Sequence, residues 1–174
     1  MLIKIEKYGS NVLRKHSTLV KGDEDIQGLS TNLFDTLAKE GGIGLAAPQI
    51  GLLKRAFIMD SNPAADKEDS FERFKYLIIN PTILFVSKND NWFKEGCLSI
   101  PDIFEDIARP DKIVVKYYNE IFEPIEREIS GIEARIFQHE YDHLEGTLFV
   151  DRLSPLKRRM LDSKLRRIAR AAIK

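Results

Sequence analysis

Residues 138–146 read QHEYDHLEG and hold two of the chain's three histidines. His139 and His143 are four apart, so on a helix they lie one turn apart on the same face and can point at one ion. Glu140 projects beside them, close enough to exchange protons with a water on that ion without being a ligand. Two imidazoles alone make a weak cage. A hydrolytic metal centre typically has three protein ligands and one position open to water. No histidine follows His143, Glu145 is too close on the same helix, and the acids further on are only Asp151 and Asp162. The best remaining candidate is upstream: Cys97, in KEGCLSIP at 94–101. A lone cysteine is by itself more often a small buried hydrophobe. A thiolate is also a strong ligand for Zn(II) or Fe(II), and the glycine-flanked end of a strand region favours that role.

Ile132, Ile136, His139 and His143 fall at i, i+4, i+7 and i+11, one continuous helical stripe. A core-facing helix would show the same stripe. It also leaves room for an apolar side chain of a substrate beside the ion. His16, alone in LRKHS, reads as a surface or packing residue rather than a ligand. Asp142 could pair with Arg109 to hold the metal helix, or could serve an ordinary surface role.

The elements that must carry these groups follow from periodicity. In DEDIQGLSTNLFDTLAKE (23–40), Ile26, Leu29, Leu33 and Leu37 form one helical stripe, with acids at the start and Gly41 and Gly42 at the end. From 54 to 130 the pattern is that of strands. RAFIMD, YLIINP, TILFVS and KIVVKYYNE are short and rich in β-branched and aromatic residues. SNPAADKEDS (61–70) reads as an exposed loop. A helix is expected from about Gly131 to Gly146, and another after LSP (153–155), with Ser154 as cap and Pro155 in the first turn. One helix, then strands, then two helices indicate an α+β fold.

Three stretches, GIGLAAPQ (42–49), EGCLS (95–99) and QHEYDHLEG, together resemble the three signature motifs of the peptide deformylases, in the family's order. The resemblance covers essentially the whole chain. It implies short mixed and antiparallel sheets around a central HExxH helix, with a C-terminal helix. It implies that Cys97, His139 and His143 bind the metal and that Glu140 is the catalytic acid/base. It further implies that the Gln49 amide and the Leu98 backbone N–H donate to the developing oxyanion, and that Ile43 and Gly44 line the peptide channel. The implied reaction is removal of the formyl group from the formyl-methionine of a nascent chain, by hydroxide generated on the metal, releasing formate. Ile132 and Ile136, with Ile43, would accept the methionine side chain. Family resemblance implies Fe2+, with Zn2+ or Ni2+ able to substitute, whereas the Cys/His/His donor set alone would select zinc. Phe104 stands where many members of the family carry a basic or imidazole side chain.

Other readings fit less well. GIGLAA matches the dinucleotide fingerprint G-x-G-x-x-A, but a helix precedes it and Pro48 interrupts any helix that would follow. An HExxH endopeptidase would lack a downstream third ligand. A purely structural metal would need a fourth protein ligand, and none is evident.

With 174 residues and 43% hydrophobic content, a single domain over 1–174 is expected. No apolar run approaches the ~20 residues of a membrane span. MLIKIEKYGSNVLRKH lacks the apolar stretch of a secretory signal. One cysteine allows no intrachain disulfide, which together with the motifs suggests a bacterial cytoplasm. The formal net charge of zero is unevenly spread, because residues 151–174 hold nine Lys or Arg against two Asp or Glu. Residues 152–174 are therefore expected to form a basic amphipathic C-terminal helix. Leu156, Met160, Leu165 and Ile168 would dock it, and its outer face could meet ribosomal RNA or only solvent.

Overall fold

A computed structural model describes residues 3–62 and 72–172. Most of the loop expected at 61–70 lies outside the described residues.

The first helix, α1 (Ile26–Glu40), begins where the Asp25 side chain accepts from the Gly28 N–H. It ends at Gly41, whose φ of 75° suits a residue without Cβ. After it, β1 (Gly44–Ala46), β2 (Ala56–Asp60), β3 (Lys75–Val86), β6 (Lys112–Tyr118) and β7 (Pro124–Ser130) form one sheet in the order β1-β2-β3-β6-β7. Every pairing in it is antiparallel. Between them in sequence, β4 (Asp90–Cys97) and β5 (Ile100–Pro110) make a separate hairpin.

Helices cover the sheet on both faces, and this explains its composition. Along β2, Phe57 and Met59 join a core with Ile136, Phe137 and Leu144 of the central helix, α2 (Gly131–Leu144). Ala56 and Ile58, one residue out of phase, pack instead with Leu33 and Leu37 of α1. Strands buried on both faces read as continuous apolar runs, which is what AFIMD shows. A third cluster joins Ile100, Ile103 and Ile107 of the hairpin to Phe149, Val150, Leu161 and Leu165 near the C-terminus. The central helix is thus enclosed by the large sheet, the hairpin and the chain that follows it.

Two expectations require correction. YLIINP and TILFVS, expected as separate strands, are one strand, β3, with a register irregularity between Ile79 and Thr82. Pro81 has no N–H for the ladder, and Asn80 has a φ of 51°. The Asn80 amide bonds the Val20 backbone in both directions, at 2.9 and 2.8 Å, which keeps the kinked strand attached. The C-terminal helix is likewise two segments, α3 (Pro155–Met160) and α4 (Asp162–Ala172). Ser154 caps the first and Pro155 occupies its first turn, as expected. The five-residue step from Met160 to Leu165 carries them to different faces, roughly 140° apart. Leu165 is buried and Ile168 half-buried against the third cluster, but Leu156 and Met160 are exposed rather than docked.

Candidate active site

Cys97 is the last residue of β4, and His139 and His143 lie one turn apart on α2. Strand and helix bring one ligand atom from each of the three to within 4.8 Å of the others. The Cys97 Sγ is 3.3 Å from His143 Nε2. The two imidazole rings meet edge to face with centroids 5.3 Å apart. Burial, followed by the neighbouring His139, pushes the His143 pKa well below its ordinary value, so this ring is neutral. A neutral imidazole is the form that ligates a metal.

Glu140 stands beside the triad and is 4% exposed. Burial, as the dominant influence, pushes its carboxyl up to about 7. Its Oε2 is one of the few buried polar atoms without a hydrogen-bond partner among the described residues, as is His143 Nδ1. A buried carboxylate oxygen left unpaired is costly unless something polar reaches it. An ion held by a thiolate and two imidazoles, with its water, supplies such a partner, so the donor set and the orphaned oxygen both fit a metal centre. Gly44 makes this position of Glu140 possible: a Cβ there would stand 2.5 Å from Glu140 Oε1.

A buried ionic network holds His139, and the sequence reading missed its centre. The Glu95 Oε2 lies 2.9 Å from His139 Nδ1, leaving Nε2 to face the ligand cluster. Arg109 clasps Glu95 with two bonds, Nε to Oε1 at 2.7 Å and Nη2 to Oε2 at 2.9 Å, and reaches Asp142 with Nη1 at 2.7 Å. The Asp142–Arg109 pair is therefore real, and Asp142 is buried rather than a surface residue. Arg135 adds a further bond to Glu95 at 2.8 Å, and Arg152 holds Asp142 with two bonds of 2.6 Å. Burial opposes the charge on Glu95, but its bonds to Arg109 and His139 prevail and hold the carboxyl far below the ordinary range. Strand alternation carried a signal for Glu95. In a regular strand residues 95 and 97 share a face, although the ladder here shifts register between Glu95 and Cys97.

Gln49 is buried, with Oε1 accepting from the Ala46 N–H at 2.8 Å. That bond turns the amide NH2 toward Cys97 Sγ at 3.4 Å and Ser99 Oγ at 3.2 Å. Leu98 and Ser99 are the two-residue turn between β4 and β5. A cleft of about 520 Å³ opens over the triad. Ile43, Gly44, Leu98, Ile132, Ile136 and Glu140 are among the residues lining it. Phe104, 65% exposed, stands at its rim across Gly96, where any side chain would overlap the ring. Of the predicted site residues only His143 lies outside this lining, buried beneath the cleft. His16 is far more exposed and pairs with Glu145 at 3.2 Å, as a surface residue would.

A cysteine–histidine triad beside a buried carboxyl of raised pKa, opening on a cleft lined by isoleucines, is the equipment of a metal-dependent hydrolase. The family model for polypeptide deformylase matches residues 2–159. A peptide deformylase of Christiangramia forsetii is 41% identical over 181 residues, covering 99% of this chain and 92% of the relative. One from Thermotoga maritima is 42% identical over 172 residues, covering 97% and 98%. The crystal structure of a peptide deformylase from Legionella pneumophila superposes with a TM-score of 0.85 at 37% identity, covering 100% of this chain and 99% of that one. The chain belongs to the polypeptide deformylase family, metal-dependent hydrolases that remove the N-formyl group from nascent peptides.

Proposed function

We propose that Cys97, His139 and His143 hold the metal of this deformylase and that Glu140 moves the protons of its reaction. When bound there, the ion lowers the pKa of a water from ~15.7 toward ~7. Glu140 takes the proton released at attack on the formyl carbon and passes it to the departing methionine amine. The observation that carries this role is the unpartnered Oε2 of Glu140, buried beside the triad. The Gln49 amide and the Leu98 N–H stabilise the oxygen on which charge builds. Ile132, Ile136 and Ile43 enclose the methionine side chain, and Gly44 lies along the peptide beside Ile43. The native ion is Fe2+, with Zn2+ or Ni2+ able to replace it. In support of iron stands the family resemblance; a readiness to take a fifth ligand suits a hydrolytic cycle.

The chain acts as one domain over residues 1–174, in the cytoplasm of a bacterium. No helix among the described residues is long and apolar enough to cross a membrane. The outer face of the C-terminal helices, with Arg159, Arg166 and Arg167 exposed, contacts ribosomal RNA where the substrate emerges. Arg158 contributes less, being half-buried and engaged by Tyr8 and Asp162, and Arg166 shares Asp162 at 3.0 Å while staying exposed. Loss of low-salt ribosome co-sedimentation in a variant with these arginines neutralised is expected; unchanged binding would contradict it.

The oxyanion role is tested with Gln49→Leu and formyl-Met-Ala-Ser. At matched metal content kcat should fall about 10²–10³-fold with KM little changed. An unchanged kcat would refute it.

A further inference from the structure

We infer that Lys7 is a positioning residue for the reaction, its ammonium pinning the Leu98–Ser99 turn so that the Leu98 N–H and Gln49 address the same oxygen. This rests on the oxyanion reading proposed above. Three consecutive residues of the N-terminal segment cross between the two donors. The Glu6 N–H donates to the Gln49 carbonyl at 2.8 Å, the Lys7 ammonium to the Leu98 carbonyl at 2.7 Å, and the Tyr8 N–H to the Ser99 carbonyl at 2.8 Å. Gln49 in turn reaches Ser99 Oγ. Both carbonyls of the two-residue turn are thus spoken for by one strap, and the same strap holds the backbone of the other donor.

The strap is itself wedged from behind. A Cβ on Gly9, whose φ is +101°, would stand 2.6 Å from the Cβ of Ala169 in α4. The Tyr8 hydroxyl accepts from Arg158 at 2.6 Å. Of the three strap bonds, two are made by backbone and survive any side-chain change. Only the Lys7 bond is made by a side chain, so a single substitution removes it alone. Lys7 also lines the cleft with Gln49, Cys97 and Leu98, and its bond to the Leu98 carbonyl sets the ammonium one residue from Cys97 along the chain. A peptide-bond donor is useful to a transition state only while its direction is fixed in advance, and displacements on the order of 1 Å cost ~10²-fold in rate.

The test compares Lys7→Met, Lys7→Arg, Gln49→Leu and wild type at matched metal content, with formyl-Met-Ala-Ser as substrate. Lys7→Met should lower kcat about tenfold or more with KM within about twofold of wild type, and Lys7→Arg should recover most of the loss. Amide hydrogen exchange at Leu98 and Ser99 in the zinc-loaded protein should quicken in Lys7→Met while exchange in α2 stays unchanged. Wild-type kcat in Lys7→Met, a rise in KM that accounts for the whole loss, or unaltered exchange at the turn, each with Gln49→Leu impaired, would overturn the inference. Full activity of Gln49→Leu would instead bring down the oxyanion reading, and this inference with it.

Discussion

Glu95 and His139 meet at 2.9 Å, Oε2 to Nδ1, across the gap between the hairpin and the central helix. One bond therefore fixes the orientation of a candidate ligand, and it joins the hairpin to the central helix alongside the Arg109–Asp142 and Arg135–Glu95 pairs. Glu95→Gln should weaken metal affinity by about 10–100-fold, measured by chelator competition, because outer partners of ligating histidines typically contribute that much. It should also destabilise the fold by about 3–5 kcal/mol in urea unfolding, since Arg109 and Arg135 lose their buried counter-charge.

The same carboxylate should write a pH signature. Its folded pKa is held below the ordinary 4.5, so the unfolded chain binds the extra proton and stability rises with pH. The contribution is complete above about pH 5 and is lost as pH falls below the unfolded value toward the folded one. Acid titration of unfolding free energy should show a steeper decline in wild type than in Glu95→Gln. Parallel curves would contradict the assignment.

Gly44→Ala isolates the seat of Glu140. The added methyl would press on Oε1 from 2.5 Å, so the carboxylate must move. Formate release should fall about 10²-fold. Far-UV circular dichroism and metal content should stay those of wild type.

Ile132→Ala enlarges the apolar wall of the cleft at a half-buried position. Discrimination between formyl-Met and formyl-Ala substrates should shrink by ~1 kcal/mol, about fivefold in kcat/KM. Competition between the two substrates in one reaction measures it.

The C-terminal helices supply a packing test. Leu165→Ala should cost about 2–5 kcal/mol, as for a fully buried leucine, while Met160→Ala should change stability by less than about 0.5 kcal/mol. Thermal unfolding of both variants measures the contrast, and equal losses would contradict the docking of the tail through Leu165.

Two of the candidate ligands were legible because HExxH is a local pattern, and helical spacing alone aligns His139 with His143. Cys97 was the best remaining candidate by elimination and by thiolate chemistry, and the family resemblance then joined it to the histidines, since nothing in spacing carries a strand end to a helix 42 residues on. Arg135, Arg152 and Lys7 were not legible. Their partners are remote in sequence, and an arginine bound for a buried carboxylate looks like any surface arginine. The docking face of the tail was misjudged for a different reason. The five-residue step from Met160 to Leu165 turns a helix by roughly 140°, so Leu156 and Met160 face away from the side that buries Leu165.

The most direct measurement is formate release from formyl-Met-Ala-Ser by wild type and Glu140→Ala, both purified anaerobically and assayed at equal metal occupancy. Turnover by wild type, abolished in Glu140→Ala while the ion stays bound, is the expected result. Substantial turnover by fully metallated Glu140→Ala would contradict the role given to Glu140.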